Sequence, residues 1–275
     1  MNQESRCNFE FLNWEGRGYF GLPTLKGVAF PQDPRLAPWT SWMAAFEQAV
    51  RGDFRFVARL VELGGQVDGL VDRVTSTLLG DAAPNHVFSA IINRIEHDDN
   101  YELTYEWCDA VATRGRLGDI GTLLDAYEKN INDVDEDADI ILIRVAQMLD
   151  PDGAPRLSHH ENFGGFPQYR LEVEQRQKRL LDYYGSEDVY LWRGELTSVK
   201  RMAEMLLRLE PRSFLPSTVR RRFEASTGID CSAMFDAKRR FRPLEAAAIA
   251  EDFLRSEAAY RYSEGERYFF GHPVP

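Results

Sequence analysis

Apolar residues recur at helical spacing through residues 40–150. Trp42, Ala45, Phe46 and Ala49 fall at positions i, i+3, i+4 and i+7, and this spacing places the four side chains on one face of an α-helix. Glycine or proline interrupts the pattern at short intervals, so that helices of roughly 12 residues alternate with short turns. The pattern predicts an all-α fold.

The same spacing predicts a series of further helices. The run from Ala138 to Leu149 is apolar almost all round, as a buried central helix is. Its segment IILI also fits a strand, but the length of the run and the following RVAQML favour a helix. The remaining predicted helices lie near residues 56–63, 67–79, 84–95, 103–111, 117–127, 169–184, 197–209, 218–226 and 243–256.

Short turns between helices are typical of antiparallel pairs, and we expect these pairs to stack as a short, irregular HEAT-like solenoid. The aromatic tail is expected to form a small C-terminal hairpin about a Ser-Glu-Gly-Glu turn, or an extended segment docked by its rings. The chain then divides into residues 1–39, an irregular arm packed on the core; 40–150, the HEAT-like helical part; 151–167, a linker rich in proline and glycine; and 168–275, a C-terminal helical part that ends in the tail.

The acidic residues are concentrated between Glu96 and Asp139. This stretch holds fourteen acidic and three basic residues, a balance of −11, and the whole chain also has a net charge of −11. Residues 1–160 carry 26 acidic and 14 basic residues, whereas residues 161–275 carry 18 and 19. An acidic half repels phosphate backbones and steers a basic partner towards it, so nucleic acid is disfavoured as a partner.

Targeting signals and cysteines bear on the compartment. The N-terminal residues MNQESRCNFEF lack the basic and apolar segments of a secretory signal, and no apolar run reaches the roughly 18 residues that a membrane span needs. Cys7, Cys108 and Cys231 are far apart, and none belongs to a CxxC pair. These features predict reduced thiols in a cytoplasmic protein without a membrane partner.

A glycine motif near the N-terminus matches the dinucleotide-binding pattern G-x-G-x-x-G in its letters alone. Leu22 and Pro23 directly follow the motif GRGYFG, and no helical pattern begins before Thr40. A dinucleotide site needs a helix to begin at the motif, because the N-terminal amides of that helix bind the pyrophosphate. We therefore expect a glycine-rich turn and no cofactor.

Alternate aspartates from Asp133 to Asp139 resemble the start of a calcium-binding EF-hand loop. Such a loop needs glycine at its sixth position and glutamate at its twelfth, where this chain has Ala138 and Arg144. Carboxylates that precede a helix also stabilise the positive end of its dipole. We therefore expect an acidic helix N-terminus, with metal binding as the lesser alternative.

Histidines and basic residues give no catalytic signature. The run His159-His160-Glu161 lacks the HExxH spacing of a zinc site, and the chain has no G-x-S-x-G or P-loop motif. The basic clusters at residues 220–222 and 238–242 can contact nucleic acid, but in an acidic chain they are expected to pair with the acidic half or to be solvated.

The combination of helices over Trp42 to Leu149, a strongly acidic stretch and the tail YRYSEGERYFFGHPVP resembles the immunity proteins of bacterial polymorphic toxin systems. Some of those proteins are built of HEAT-like helices. The resemblance implies a small cytoplasmic protein of bacteria that inhibits a cognate toxin by binding it directly. No family motif is matched position by position, so the resemblance assigns no residue a role.

The acidic stretch itself supplies the predicted partner-binding residues. Carboxylates steer a basic partner, and aromatic rings among them bury area at an interface. We expect an acidic helical face to dock a basic toxin, such as a nuclease, and to cover its active site. The predicted residues are Asp98, Asp99, Glu102, Tyr105, Glu106, Asp109, Asp133, Asp135, Glu136 and Asp137.

Two other function classes stay open on the sequence. A metal-dependent enzyme on a helical scaffold would use the acidic cluster to hold a divalent ion. A nucleic-acid-binding helical repeat protein would need the basic clusters to converge on one concave face. A solvated acidic face without any partner is the plain alternative to all three.

Overall fold

The protein is mostly helical in a computed structural model that describes residues 19, 37–62, 64, 69–97, 101–130, 139–150, 155–208, 215–236 and 240–275. This confirms the predicted all-α class. The helices are α1 (Ala37–Ala49), α2 (Gly69–Ala82), α3 (Phe88–His97), α4 (Tyr101–Arg114), α5 (Ile120–Asn130), α6 (Asp139–Leu149), α7 (Phe166–Tyr184), α8 (Val199–Leu206), α9 (Leu215–Thr227) and α10 (Pro243–Arg255).

The apolar run that fitted either a helix or a strand is the helix α6. Its buried residues include Ile141, Leu142 and Val145. The backbone of an eleven-residue helix is hydrogen-bonded internally except at its two ends, so this buried segment needs no partner strand. The segment predicted as a helix near residues 56–63 is instead a 3-10 helix, Val57–Glu62, with Val57 and Leu60 in the core. Stacking of the helices as a solenoid stays a prediction.

Helices α2, α4 and α6 run in the same direction. Arg73 of α2 contacts Glu106 of α4. Gly80 and Thr113, each seven residues further along its helix, also pack together. The C-terminal end of α6 lies beside that of α4, because residues 191 and 193, only two positions apart, donate backbone hydrogen bonds to Gly115 O at 2.7 Å and Gln147 O at 2.9 Å. Three helix C-termini are therefore neighbours, and their dipoles are aligned.

Two hydrophobic cores are formed, and the change between them comes after α7. The first core takes side chains from α1 to α6 and also Tyr169 and Val173 of α7. The second core joins α8, α9 and α10 around Trp192 and Phe223. The predicted linker is a folded segment over residues 155–167, since Leu157 is fully buried and its carbonyl accepts a hydrogen bond from Tyr169 at 2.8 Å.

Two small β-hairpins complete the described fold. The first pairs β1 (Leu191–Trp192) with β2 (Glu195–Leu196), and the second pairs β3 (Tyr268–Phe269) with β4 (His272–Pro273). The second confirms the predicted C-terminal hairpin. Its turn lies at Phe270-Gly271 and not at the Ser-Glu-Gly-Glu segment.

Both hairpin turns place two residues at positive φ. The values are 56° and 73° for Arg193-Gly194, and 48° and 81° for Phe270-Gly271, as a type I′ turn requires. The non-glycine residue in each turn occupies a left-handed conformation that costs about 1 kcal/mol. Contacts outside the turn must offset that cost.

Those contacts are hydrogen bonds to carbonyls at helix ends, and the two hairpins make them in the same way. The amides of Arg193 and Gly194 donate to the carbonyls of residues 147 and 148 in the last turn of α6, at 2.9 and 2.8 Å. The amides of Phe270 and Gly271 donate to residues 225 and 226 in the last turn of α9, at 2.7 and 2.8 Å. Each turn thus satisfies carbonyls that a helix leaves without a partner.

Arginine side chains cap the remaining parallel helices. Arg267, 8% exposed, donates to Gly80 O at 2.9 Å and Ala83 O at 3.0 Å at the end of α2. Arg222 of α9 donates to Ala112 O at 3.5 Å and Thr113 O at 3.1 Å at the end of α4. A cation at a helix C-terminus also stabilises the dipole.

Tyr19 is the one residue before α1 that the structure describes, and it belongs to the predicted N-terminal arm, residues 1–39. It is 7% exposed, its ring stacks on Phe46 of α1 at 5.2 Å, and it meets Phe269 of the hairpin edge-on at 5.2 Å. The last three residues of that arm, 37–39, are the start of α1. No helix in the described ranges is both long enough and apolar enough to cross a membrane.

Replacement of Arg267 by methionine should destabilise the protein strongly. The substitution keeps an apolar stem but leaves the carbonyls of Gly80 and Ala83 buried without donors, at a cost of about 2–4 kcal/mol in the free energy of unfolding. Urea unfolding followed by circular dichroism measures this loss. Arg208→Met, at an exposed arginine, is the matched control and should change stability by no more than about 0.5 kcal/mol. Equal effects of the two substitutions would contradict the capping role.

Candidate functional site

The acidic stretch occupies α4, α5 and the segments that precede α4 and α6. Among the predicted partner-binding residues, the side chains of Tyr105, Glu106 and Asp109 are described. Glu102 belongs to α4, but its side chain lies outside the described part of the structure. The others also lie outside the described residues: Asp98, Asp99, Asp133, Asp135, Glu136 and Asp137.

Glu106 lies between α2 and α4. Its carboxylate accepts hydrogen bonds from Ser76 Oγ at 3.0 Å and from Arg73 Nε at 3.4 Å, and 19% of the side chain is exposed. Burial, and then the neighbouring Asp109 carboxylate, raise the pKa of Glu106 to about 7. Arg73 and Ser76 oppose that rise but do not cancel it.

Asp109 and Tyr105 also belong to the interior of the helical body. Asp109 Oδ1 lies 2.5 Å from Arg144 Nε of α6, and Tyr105 is 7% exposed. Tyr105 is therefore buried, and Glu106 and Asp109 are only partly exposed; that these three residues bind a partner stays a prediction. Glu106 and Asp109 join α4 to its parallel neighbours α2 and α6.

Three more acids of the stretch have arginine partners. Asp119 is buried and accepts hydrogen bonds from Arg114 Nε at 3.1 Å and Arg116 Nη1 at 3.0 Å. Asp125 and Glu128 are exposed and each lies 2.7 Å from Arg170 of α7. The exposed pairs contribute little stability, but Arg170 partly neutralises the negative charge of α5.

Four helix ends converge where the two undescribed acidic segments begin and end. Lys129 Nζ of α5 donates to Glu96 O of α3 at 3.5 Å, and Tyr127 OH of α5 donates to Asp139 Oδ1 of α6 at 3.4 Å. Residues 98–100 continue from α3 to α4, and residues 131–138 continue from α5 to α6. We call this end of the helical body, defined by Glu96, Lys129 and Asp139, the acidic end.

A histidine of the predicted linker lies at the same end. His160 Nδ1 is 2.9 Å from Tyr127 OH, and His160 Nε2 is 3.6 Å from Glu161. His159 is exposed and does not share this contact. Within the described ranges no group of three or more His, Cys, Asp or Glu side chains could hold a metal ion.

The opposite end of the helical body is rich in arginine. Arg221 of α9 pairs with Asp81 of α2, which also accepts a hydrogen bond from Tyr19 OH at 2.8 Å. Arg220 pairs with Glu224, a fully buried acid, at 3.0 Å. The cluster at residues 220–222 is therefore turned into the fold, and Arg221 pairs with the acidic half as expected. No converging basic face is formed by these three residues.

Spacing could have revealed part of this arrangement. Glu106 falls three residues after Leu103 and four before Ala110, both buried in the first core, so the helical period already places it on the buried face. Arg222 follows the fully buried Val219 by three residues in the same way. No sequence signal identifies the helix ends that Arg222 and Arg267 cap, since those contacts join residues more than one hundred positions apart.

Comparison of the chain with protein-family models, with curated proteins and with solved structures gives no match.

Replacement of Glu106 by glutamine should stabilise the protein above pH 7. The pKa of this acid is about 7 in the folded protein and 4.5 as its ordinary value, so the folded state binds the proton more tightly and stability falls as the pH rises from about 4.5 to 7. Glutamine keeps the shape and abolishes this loss, worth at most about 3 kcal/mol. Urea unfolding at pH 5 and pH 8 measures it.

The exposed Glu96→Gln is the matched control for that experiment, since 58% of the Glu96 side chain is exposed. Its pH dependence of unfolding should equal that of the wild type. An unchanged pH dependence in Glu106→Gln as well would show that the carboxylate ionises without cost between α2 and α4.

Proposed function

We propose that the chain is an inhibitory binding protein whose acidic end docks a basic protein partner. One observation carries the proposal: the contacts from α5 to Glu96 and Asp139 fix the ends of both undescribed acidic segments to the same end of the helical body. Seven acids belong to those segments and to the first turn of α4: Asp98, Asp99, Glu102, Asp133, Asp135, Glu136 and Asp137.

These seven acids carry more negative charge than the helix dipoles can offset. The N-termini of α4 and α6 each carry a partial charge of about +0.5, so two helix dipoles offset roughly one of the seven carboxylates. The described acids of the stretch mostly have arginine partners within the chain. The excess negative charge thus belongs to the residues that follow Glu96 and precede Asp139 in the sequence, and it would attract a partner of opposite charge.

The partner proposed is a cognate toxin with a basic surface, in the cytoplasm of a bacterium. A toxin that acts on nucleic acid carries a basic active-site surface, because its substrate is a polyanion. An acidic protein end that covers this surface competes with the substrate and blocks the activity. Tyr105, Glu106 and Asp109 are engaged between α4 and its neighbours, so the proposed docking depends mainly on the other seven predicted residues.

Neutralising the acidic end should abolish protection against the partner. The variant carries Asp133→Asn, Asp135→Asn, Glu136→Gln and Asp137→Asn, and the probe is the protein encoded next to this chain's gene, co-expressed with it. Wild type should restore growth and bind this protein. The variant should lose binding mainly through a slower association rate, reduced about tenfold or more at low salt.

A matched control removes the same number of charges elsewhere. Glu251→Gln, Asp252→Asn, Glu257→Gln and Glu264→Gln neutralise four exposed acids of α10 and the segment that follows it and should leave binding intact. For wild type, the association rate should fall steeply as salt is raised from about 50 to about 500 mM, because exposed charges are screened. Rates that are insensitive to salt, or equal in the two variants, would refute the acidic end as the docking site.

A further inference from the structure

A polar cleft lies at the arginine-rich end of the helical body. It is enclosed by the C-terminal ends of α2 and α4, by α8 and α9, and by the strand β3. Its lining includes Asp81, Thr113, Arg114, Arg222, Ser226 and Arg267. The cleft is therefore formed between the first core and the second.

Arg222 has donors that no described protein group uses. Its Nη2 makes both of the guanidinium's hydrogen bonds, to Ala112 O at 3.5 Å and Thr113 O at 3.1 Å. Within the described part of the chain, Nε and Nη1 have no acceptor. The guanidinium also lies 5.6 Å from the centre of the Trp192 ring, which supplies no negative charge of its own. Burial and the adjacent Arg221 lower the pKa of Arg222 to about 9.

The charges around the cleft leave a positive remainder. Asp81 is paired with Arg221, and Arg114 with Asp119. Arg222 and Arg267 have no carboxylate partner among the described residues, and the two helix C-termini that they cap are together worth about −1. Glu266 also lines the cleft, is exposed, and accepts a hydrogen bond from Tyr268 OH at 2.8 Å. Exposed charges are screened more than buried ones, so Glu266 compensates the remaining positive charge only in part.

Hydroxyl groups with free donors line the same cleft. Thr113, Thr197 and Ser226 all contribute to its wall. Their hydroxyls make no hydrogen bond to any described residue, and Thr197 and Ser226 are half-buried, so a ligand in the cleft could reach them. Side-chain hydroxyls and an arginine with free N–H groups are together suited to an oxyanion.

We propose that this cleft binds a small oxyanion, held by the Nε and Nη1 groups of Arg222 and by the hydroxyls of Thr113 and Ser226. Bound there, the anion would neutralise the charge between the two cores and join α9 to the end of α4. The site lies at the end of α4 opposite the acidic end. Its test is thus independent of toxin binding, and either proposal can fail alone.

Thermal unfolding with orthophosphate, at constant ionic strength against chloride, tests the site. The unfolding midpoint of the wild type should rise saturably, by about 3 °C at ten times the dissociation constant. Arg222→Lys should lose most of this rise, because the amine cannot cap α4 and reach the anion together. Arg208→Lys, at an exposed arginine outside the cleft, should behave as the wild type.

The double variant Thr113→Val, Ser226→Ala tests the site independently, in case Arg222→Lys impairs folding. Without phosphate it should be as stable as the wild type, since the hydroxyls it removes have no described protein partner. With phosphate, its half-saturation concentration should rise several-fold. A rise in the unfolding midpoint that is linear in phosphate and equal in all four proteins, or equal saturation in the wild type, Arg222→Lys and the double variant, would overturn the proposal.

Methyl phosphate distinguishes the two sources of such an anion. If orthophosphate saturates the site and methyl phosphate does not compete with it, the ligand is the free ion. If both bind in the wild type and neither in Arg222→Lys, the site also accepts the phosphate group of a larger molecule.

Discussion

The constraint on which the structure depends is that α2, α4 and α6 are parallel and end side by side. Parallel helices add their partial negative charges at one place and expose carbonyls that no residue of the same helices can satisfy. The C-terminal part of the chain supplies further partners of all three ends: Arg267 for α2, Arg222 for α4 and the Arg193-Gly194 turn for α6. The two cores are joined because the first would otherwise end in unsatisfied backbone.

The distribution of charge follows the direction of the helices. Acidic residues precede α4 and α6, at the positive ends of their dipoles, and arginines meet the negative ends of α2 and α4. Part of the charge that makes the chain acidic therefore stabilises the fold, and only the excess beyond the helix dipoles is available to a partner. Glu106, Asp109 and Asp119 thus pair with arginines within the fold, whereas the binding proposed for the acidic end depends on other acids.

Helical periodicity predicts most of the helices but not the environment of their charged residues. The apolar stripe of α6 predicts a buried helix because every face of that run is apolar. Charged residues within amphipathic helices are harder to place, since acids and arginines are mostly solvated, although the helical period puts Glu106 and Arg222 beside buried residues. Their partners, Ser76 and the α4 carbonyls, are distant in the sequence. The hairpin turn at Phe270-Gly271 was missed because a non-glycine residue at positive φ depends on the helix end that it caps.

Arginines of the C-terminal part hold the two cores together. The most direct measurement is a double-mutant cycle on the Asp81–Arg221 pair, with Asp81→Asn, Arg221→Gln and the combined variant compared by urea unfolding. Asp81 is in α2 and Arg221 is in α9, so the coupling energy measures an interaction between the two cores. We expect a coupling energy of about 2 kcal/mol and a single unfolding transition in the wild type. Additive effects within about 0.5 kcal/mol would contradict it.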